Sequence, residues 1–184
     1  MPEKKQDARV RYTKMMIRNS LLELLSTKPI AKITVTEICE RAGINRATFY
    51  AHYSDPSDLL RSIEDEILSD LSRWLEPAIA AQGDVALSDM LTPIIEYIGE
   101  NAGVCSVLLS SSGDAGFQAK VVDAVEQPFL AGFRRGGSRE VAEYFYTFAA
   151  DGCVGMLKKW LSGGMTVPPA RLAKMMARFT SRAG

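Results

Sequence analysis

Histidine and cysteine are scarce in this 184-residue chain, which has one histidine, His52, and three cysteines. His52 lies in a segment that reads as a short surface helix, so no histidine is left for a catalytic triad, a Cys-His pair or a multi-histidine metal site. The cysteines, Cys39, Cys105 and Cys153, are odd in number and widely spaced, which favours buried free thiols in a reducing compartment over a redox role. We therefore expect no enzymatic activity, no metal and no cofactor.

Long apolar runs are absent as well. No stretch approaches the roughly 18 consecutive apolar residues of a membrane-spanning helix, and the charged N-terminus lacks the apolar core of a signal peptide. With 47% apolar residues, the chain still has ample material for a core. These features predict one or two domains, a cytoplasmic location and no membrane contact. The lack of period-two alternation predicts an all-α fold.

Charge is balanced overall but unevenly distributed. The chain has 22 basic and 22 acidic residues; residues 1–50 hold 10 against 5, and the remaining 134 hold 12 against 17. A basic N-terminal part favours a polyanionic partner, and an acidic remainder stays away from it. Alternatively, Lys4, Lys5, Arg9 and Arg11 form only a solvated tail.

Residues 33–60 predict two short helices joined by a tight turn. Thr34 can cap the first helix while Glu37 completes a capping box. Gly43 can adopt the left-handed conformation that ends a helix and turns the chain. Asn45 can cap the second helix, which runs from Arg46 to about residue 52. The pattern indicates a helix-turn-helix; the alternative is an ordinary helical hairpin.

The second short helix and its surroundings offer side chains suited to duplex DNA. Arg46 can bind guanine in a bidentate manner, Asn45 can pair with adenine unless it is consumed as a cap, and Ala47 can contact a thymine methyl group. Hydroxyl and imidazole groups suit phosphate oxygens. The predicted phosphate donors are Thr34, Thr36, Thr48, Tyr50 and His52.

This segment resembles the DNA-binding region of the TetR family of bacterial transcriptional regulators. The resemblance implies that Tyr50 and His52 contact the DNA backbone and that residues 46–48 help to read bases. Pro56 stands where members of that family commonly carry a lysine. The elements that carry the resemblance are Thr34 to Ile38, Ala42-Gly43-Ile44 and Phe49-Tyr50-Ala51-His52-Tyr53.

The rest of the chain predicts a helical body, for about nine helices in total. Apolar residues at intervals of three and four predict helices over 15–25, 56–81, 87–100, 104–109, 117–133 and 138–161, and a last one from 168. Residues 110–114 predict a mobile polar loop. We divide the chain into a helix-turn-helix domain, 1–54, and a helical ligand-binding and dimerisation domain, 55–184.

The last two helices predict a homodimer. Small residues in the first and an apolar stripe in the second would allow a four-helix contact across a two-fold axis, which matches the two-fold symmetry of operators. The alternative is that these residues belong to the monomer core. The predicted interface residues are Phe148, Ala149, Gly152, Gly155, Trp160, Leu172, Met175 and Phe179.

The resemblance further implies a pocket for a small-molecule effector in the body. Its candidate lining residues, which could equally be core, are Met90, Tyr97, Leu108, Phe117, Phe129, Phe145 and Met156. The run from Tyr144-Phe145 to Trp160 is similar to a subgroup that includes coactivators. We predict a ligand-responsive homodimeric repressor that binds a double-stranded operator; the alternative is a helical protein-binding adaptor or coactivator of the same fold.

Overall fold

The computed structural model describes residues 2–80, 86–110, 116–123 and 139–181, and within these ranges the ordered elements are all helical. The all-α prediction is therefore confirmed. A short 3-10 turn, Ile30–Lys32, precedes the second helix. The helices are α1 (Pro2–Leu25), α2 (Val35–Ala42), α3 (Arg46–Tyr50), α4 (Pro56–Ala80), α5 (Leu87–Glu100), α6 (Ala102–Leu108), α7 (described over 117–123), α8 (Arg139–Ser162) and α9 (Pro169–Ser181).

Several helix bounds differ from those predicted. The helix expected over 15–25 begins at Pro2, because its polar first half carries no apolar stripe from which a helix could be recognised. Helix α3 ends at Tyr50 instead of about residue 52, and residues 51–52 form a turn. Helix α6 covers Ala102–Leu108 instead of 104–109. Residue 81, residues 111–114 of the predicted loop and residues 124–133 of the predicted seventh helix lie outside the described residues.

The N-terminal helices share a dense apolar core. Ile17 and Leu21 of α1, Ile38 of α2, Phe49 of α3 and Leu59 of α4 are all 0% exposed. Full burial of each such side chain contributes about 1.5–3 kcal/mol relative to exposure. The first three helices therefore form a rigid head on the start of α4, with α1 packed beneath the two short helices.

The same core continues into the body through α4. Leu108, Phe117 and Val154 belong to the cluster that also contains the head residues. In the first half of α4, the buried carboxylate of Glu64 accepts a hydrogen bond at 2.7 Å from the ammonium of Lys120 on α7. Helix α4 is thus the element on which head and body both pack.

A second core joins α5, α8 and α9. Ile95, Trp160, Leu172, Ala173 and Met176 form its buried cluster. The indole N–H of Trp160 donates to the backbone oxygen of Val167 at 2.7 Å, which ties α8 to the loop before α9. Trp160 and Leu172 are therefore monomer core. No helix within the described ranges has the length and apolarity that crossing a membrane requires.

Candidate nucleic-acid interface

The start of α2 is held by a complete capping box. The Thr34 hydroxyl accepts from the Glu37 N–H at 3.3 Å, and Glu37 Oε2 accepts from the Thr34 N–H at 3.0 Å. Lys28, beyond the end of α1, forms an ion pair with the other oxygen of Glu37. The hydrogen bond from Lys28, followed by those from the backbone and hydroxyl of Thr34, lowers the pKa of Glu37 to about 2. The Thr34 hydroxyl also donates to Glu37 at 2.9 Å, so a phosphate would have to compete for it.

The turn between α2 and α3 depends on the conformation of Gly43. Its φ of 67° and ψ of 32° lie in the left-handed region, which favours glycine. The backbone N–H groups of Gly43 and Ile44 both donate to the Cys39 oxygen, the latter at 3.0 Å, and so satisfy the end of α2. A Cβ at residue 43 would meet nothing within 4 Å. Glycine is therefore favoured here by the left-handed backbone conformation and not by crowding around the residue.

Asn45 is consumed as the cap of α3. Its Oδ1 accepts from the Thr48 N–H at 2.8 Å and from the Thr48 hydroxyl at 3.0 Å. Bidentate pairing with adenine needs this same oxygen as an acceptor. The structure therefore gives Asn45 a structural task, and the suggested adenine contact is not available in this conformation.

Phe49 anchors α3 and determines which side of it remains free. Its ring is fully buried and lies edge-on to Tyr50, with centroids 5.7 Å apart and planes at 86°. A second contact joins it to Tyr53 at 5.9 Å. Tyr50 itself is 57% exposed. The short helix is thus held by one aromatic side chain while its polar side chains stay accessible.

The remaining predicted side chains surround this accessible side. Arg46 and Ala47 are exposed, and Thr36, Thr48 and His52 are partly exposed. Arg46 donates from Nη2 to the Thr36 hydroxyl, which brings α2 and α3 together at this surface. The sequence did not indicate this contact.

Charge distinguishes Arg46 from its neighbours. Arg41 pairs with Glu23 at 2.6 Å and Lys28 pairs with Glu37, whereas Arg46 makes no ion pair among the described residues. Its guanidinium is therefore available for an anionic or hydrogen-bond-accepting partner. We call the surface formed by Thr36, Arg46, Ala47, Thr48, Tyr50 and His52 the reading surface.

Helix α4 begins next to this surface with its own reciprocal caps. Asp55 Oδ1 accepts from the Asp58 N–H at 2.8 Å, and Asp58 Oδ2 accepts from the Ser54 N–H at 2.9 Å. The Ser54 hydrogen bonds lower the pKa of Asp58. Pro56 occupies the first turn, where no backbone N–H is needed, but it carries no cation for a phosphate.

A cavity of about 160 Å³ lies in the body among helices α4 to α9. Of the predicted lining residues, Tyr97 and Phe117 line it. Leu108 is instead buried in the cluster beneath the head, and Met156 packs in the α5–α9 cluster. Met90 and Phe145 do not line it either, and residue 129 lies outside the described residues.

Four aliphatic lining residues of α5 were missed although the sequence carried their signal. Leu87, Leu91, Ile94 and Ile98 of α5 recur at intervals of four, three and four, and all line the cavity. Tyr97 on the same helix donates from its hydroxyl to Asp70 Oδ2 on α4 at 2.6 Å. Burial, together with this contact to Asp70, raises the pKa of Tyr97. The cavity wall is thus joined by a hydrogen bond to the helix that carries the head.

Helices α8 and α9 expose large apolar side chains. Tyr144 is 74% exposed, Phe148 67% and Phe179 57%, and Met175 is exposed as well. A Cβ added at Gly152 or Gly155, both exposed on α8, would meet nothing within 4 Å. Five of the predicted interface residues are therefore on the surface: Phe148, Gly152, Gly155, Met175 and Phe179.

The other three predicted interface residues are buried within the chain. Trp160 and Leu172 belong to the α5–α9 core, and Ala149 is 8% exposed and lines the cavity. Helical spacing alone does not distinguish an intrachain face from an interchain one. We remove these three residues from the candidate interface.

Comparison with known proteins assigns both parts of the chain. The family described as "Bacterial regulatory proteins, tetR family" matches residues 17–63, and the family described as "Transcriptional regulator C-terminal region" matches residues 86–182. The HTH-type transcriptional regulator YxbF of Bacillus subtilis (strain 168) is 24% identical over 189 residues. That alignment covers 96% of this chain but 47% of YxbF, so the chain spans about half the length of this relative.

Solved structures share the fold across nearly the whole chain. A TetR transcriptional regulator from Streptococcus agalactiae 2603V has a TM-score of 0.68 at 23% identity, and covers 97% of this chain and 98% of its own. The SmeT–triclosan complex has a TM-score of 0.65 at 17% identity, with 93% and 90% covered. With two family matches that together span head and body, the chain belongs to the TetR family of bacterial transcriptional regulators.

Proposed function

We propose that the chain acts as a homodimeric repressor in the bacterial cytoplasm, binding a two-fold operator in double-stranded DNA through the reading surface, and that a small molecule in the body changes this affinity. The observation that carries the proposal is the accessible polar side of α3, held in place by the buried Phe49 and by caps at both short helices. A rigid, short helix with exposed donors suits the major groove.

The roles of individual side chains follow from their placement. Arg46, which is exposed and makes no ion pair in the described part of the chain, is the proposed base-reading residue. Tyr50 and His52, beside it, are proposed phosphate contacts, as is Thr48 once its hydroxyl leaves Asn45. Ala47 is the proposed contact to a thymine methyl group.

Dimerisation is supported by the exposed apolar surface of α8 and α9. Phe148 and Phe179 are large side chains that remain more than half exposed in the single chain, and Gly152 and Gly155 allow another helix to approach closely. A two-fold pair would present two reading surfaces to two half-sites about one helical turn or a multiple of it apart. The proposed division places the head in residues 1–54 and the dimerising body in 55–184.

A change of DNA affinity with ligand requires that the ligand bind two dimer geometries unequally. The cavity among α4 to α9 is the proposed site, since its wall includes Ile67 and Leu71 of α4. In the SmeT–triclosan complex, a protein of this fold binds triclosan. We propose that a ligand in this cavity shifts α4 and with it the head.

The decisive experiment selects duplexes from a random pool and measures their affinity for the full chain over a salt series. Affinity should fall steeply with rising salt, because each phosphate contact releases counterions. Arg46→Ala should cost about 1–3 kcal/mol on the selected sequence and relax its preference at one position. Tyr50→Ala should weaken all sequences alike.

Arg41→Ala is the matched control for charge. It removes the same charge from an exposed arginine that already pairs with Glu23 on α1, so its effect should be clearly smaller than that of Arg46→Ala. Equal losses in both variants would show that only net charge matters. A chain with no salt-dependent affinity for any duplex would instead support the protein-binding adaptor or coactivator.

A further inference from the structure

The wall of the body cavity presents almost only carbon atoms. Its aliphatic side chains include Leu91, Ile94, Ile98, Val121 and Leu157, and none of the described side chains that line it is charged. The chemistry of a possible occupant therefore depends on the few lining residues that carry a polar atom.

Those polar atoms are committed elsewhere. The Tyr97 hydroxyl donates to Asp70 at 2.6 Å. The Thr180 hydroxyl is bonded to the backbone oxygens of Met176 and Ala177, at 3.1 and 3.0 Å. The Tyr146 hydroxyl likewise donates to the backbone oxygen of Val122. None of these hydroxyls therefore has a proton left for an anion, and the described wall exposes almost no polar surface to a cation.

The two thiols in the wall are neutral. Burial raises the pKa of Cys105 to about 11 and also raises that of Cys153. A protonated thiol packs as a small apolar group and is only a weak hydrogen-bond partner. The cysteines thus add polarisable surface to the wall but no charge.

We propose that this cavity binds a small, uncharged, apolar molecule about as large as one aromatic ring, and that it rejects carboxylates and ammonium ions of the same shape. The size follows from the volume of about 160 Å³, since an apolar cavity of about 150 Å³ accommodates benzene. The selectivity follows from solvation, because a charged group would lose its hydration without gaining a partner among the lining residues that the structure describes. Only the effector role of such a molecule rests on the proposed function. Its binding to the cavity is measurable without DNA.

The test compares toluene, benzoate and benzylammonium, three molecules of similar shape and different charge, by titration calorimetry and thermal unfolding of the full chain. Toluene should bind and raise the unfolding temperature. Benzoate and benzylammonium should bind at least about 100-fold more weakly. Affinity of either ion within about ten-fold of that for toluene would overturn the proposal.

Replacing either of two alanines by phenylalanine shows where toluene binds. Ala150 lines the cavity, so Ala150→Phe should fill it and remove the toluene response. Ala170 is exposed at the start of α9, and Ala170→Phe should keep the response. An unchanged response in Ala150→Phe would place toluene elsewhere and refute the site.

A variant that enlarges the cavity tests the binding site independently if Ala150→Phe does not fold. Leu91→Ala removes part of the cavity wall, so the affinity of this variant for naphthalene should rise relative to its affinity for toluene. An unchanged ratio of the two affinities would contradict the proposed site. Duplex affinity with and without toluene then tests regulation separately. Toluene binding without a change in duplex affinity would refute the effector role while leaving the ligand class intact.

Discussion

Substituting Gly43 tests whether the turn before α3 depends on backbone conformation. Its φ of 67° costs a residue with a Cβ about 1–2 kcal/mol, while the lower entropy of the unfolded chain returns about 0.4–1 kcal/mol. Because a Cβ there meets nothing within 4 Å, no steric penalty is added. Gly43→Ala should therefore destabilise the fold by about 1 kcal/mol, and Gly43→Asn by less, since asparagine tolerates this conformation.

Gly103 provides the matched control. It is exposed in α6, a Cβ added there also meets nothing within 4 Å, and its φ is not positive. Gly103→Ala should consequently stabilise the fold by about 0.4–1 kcal/mol. The same chemical change at two equally open sites is thus expected to have opposite signs.

Urea unfolding at one fixed protein concentration measures both effects. With a slope of about 2 kcal/mol per molar, Gly43→Ala should lower the midpoint by about 0.5 M and Gly103→Ala should raise it. The fixed concentration matters because association shifts apparent stability. Equal shifts of the same sign in both alanine variants would refute the conformational argument.

Two further predictions concern pH and assembly. The Glu37 pKa of about 2 lies below the ordinary 4.5. Its ionised form therefore stabilises the fold above about pH 4.5, and this contribution is lost as pH falls towards 2. Because glutamine can keep the cap, the stability difference between the chain and Glu37→Gln should shrink over that window, and a constant difference would contradict the contribution of the carboxylate charge. Gly152→Arg places a charged side chain in the proposed dimer interface, so light scattering should report the mass of a monomer. Gly103→Arg, which is equally free of steric contact, should leave the mass of the dimer unchanged. A Gly152→Arg variant that remains a dimer would place the interface elsewhere.

The helix-turn-helix was predictable because its signals are local. The Thr34–Glu37 capping box, the left-handed Gly43 and the Asn45 cap each join residues within a few positions of one another, and such contacts form whatever packs around them. The same locality explains why Asn45 changed its role: the cap that positions α3 occupies the oxygen that Asn45 would need to read adenine.

Contacts between distant residues were not predictable from spacing. The Arg46–Thr36 hydrogen bond, the Lys28–Glu37 ion pair and the Tyr97–Asp70 bond join residues on different elements. Their formation depends on how the elements pack. The early start of α1 was missed for another reason, since its polar first half carries no periodic signal.

For this chain, composition and short-range pattern were sufficient for the helical class, the two capped helices and the exposed donors of α3, because a helix period and its caps involve only neighbouring residues. Packing alone decided that Trp160 and Leu172 lie inside the chain while Phe148 and Phe179 face outward, and which side chains of α5 line the cavity. An apolar stripe shows that a helix must be covered, but only the three-dimensional arrangement of the other helices determines what covers it.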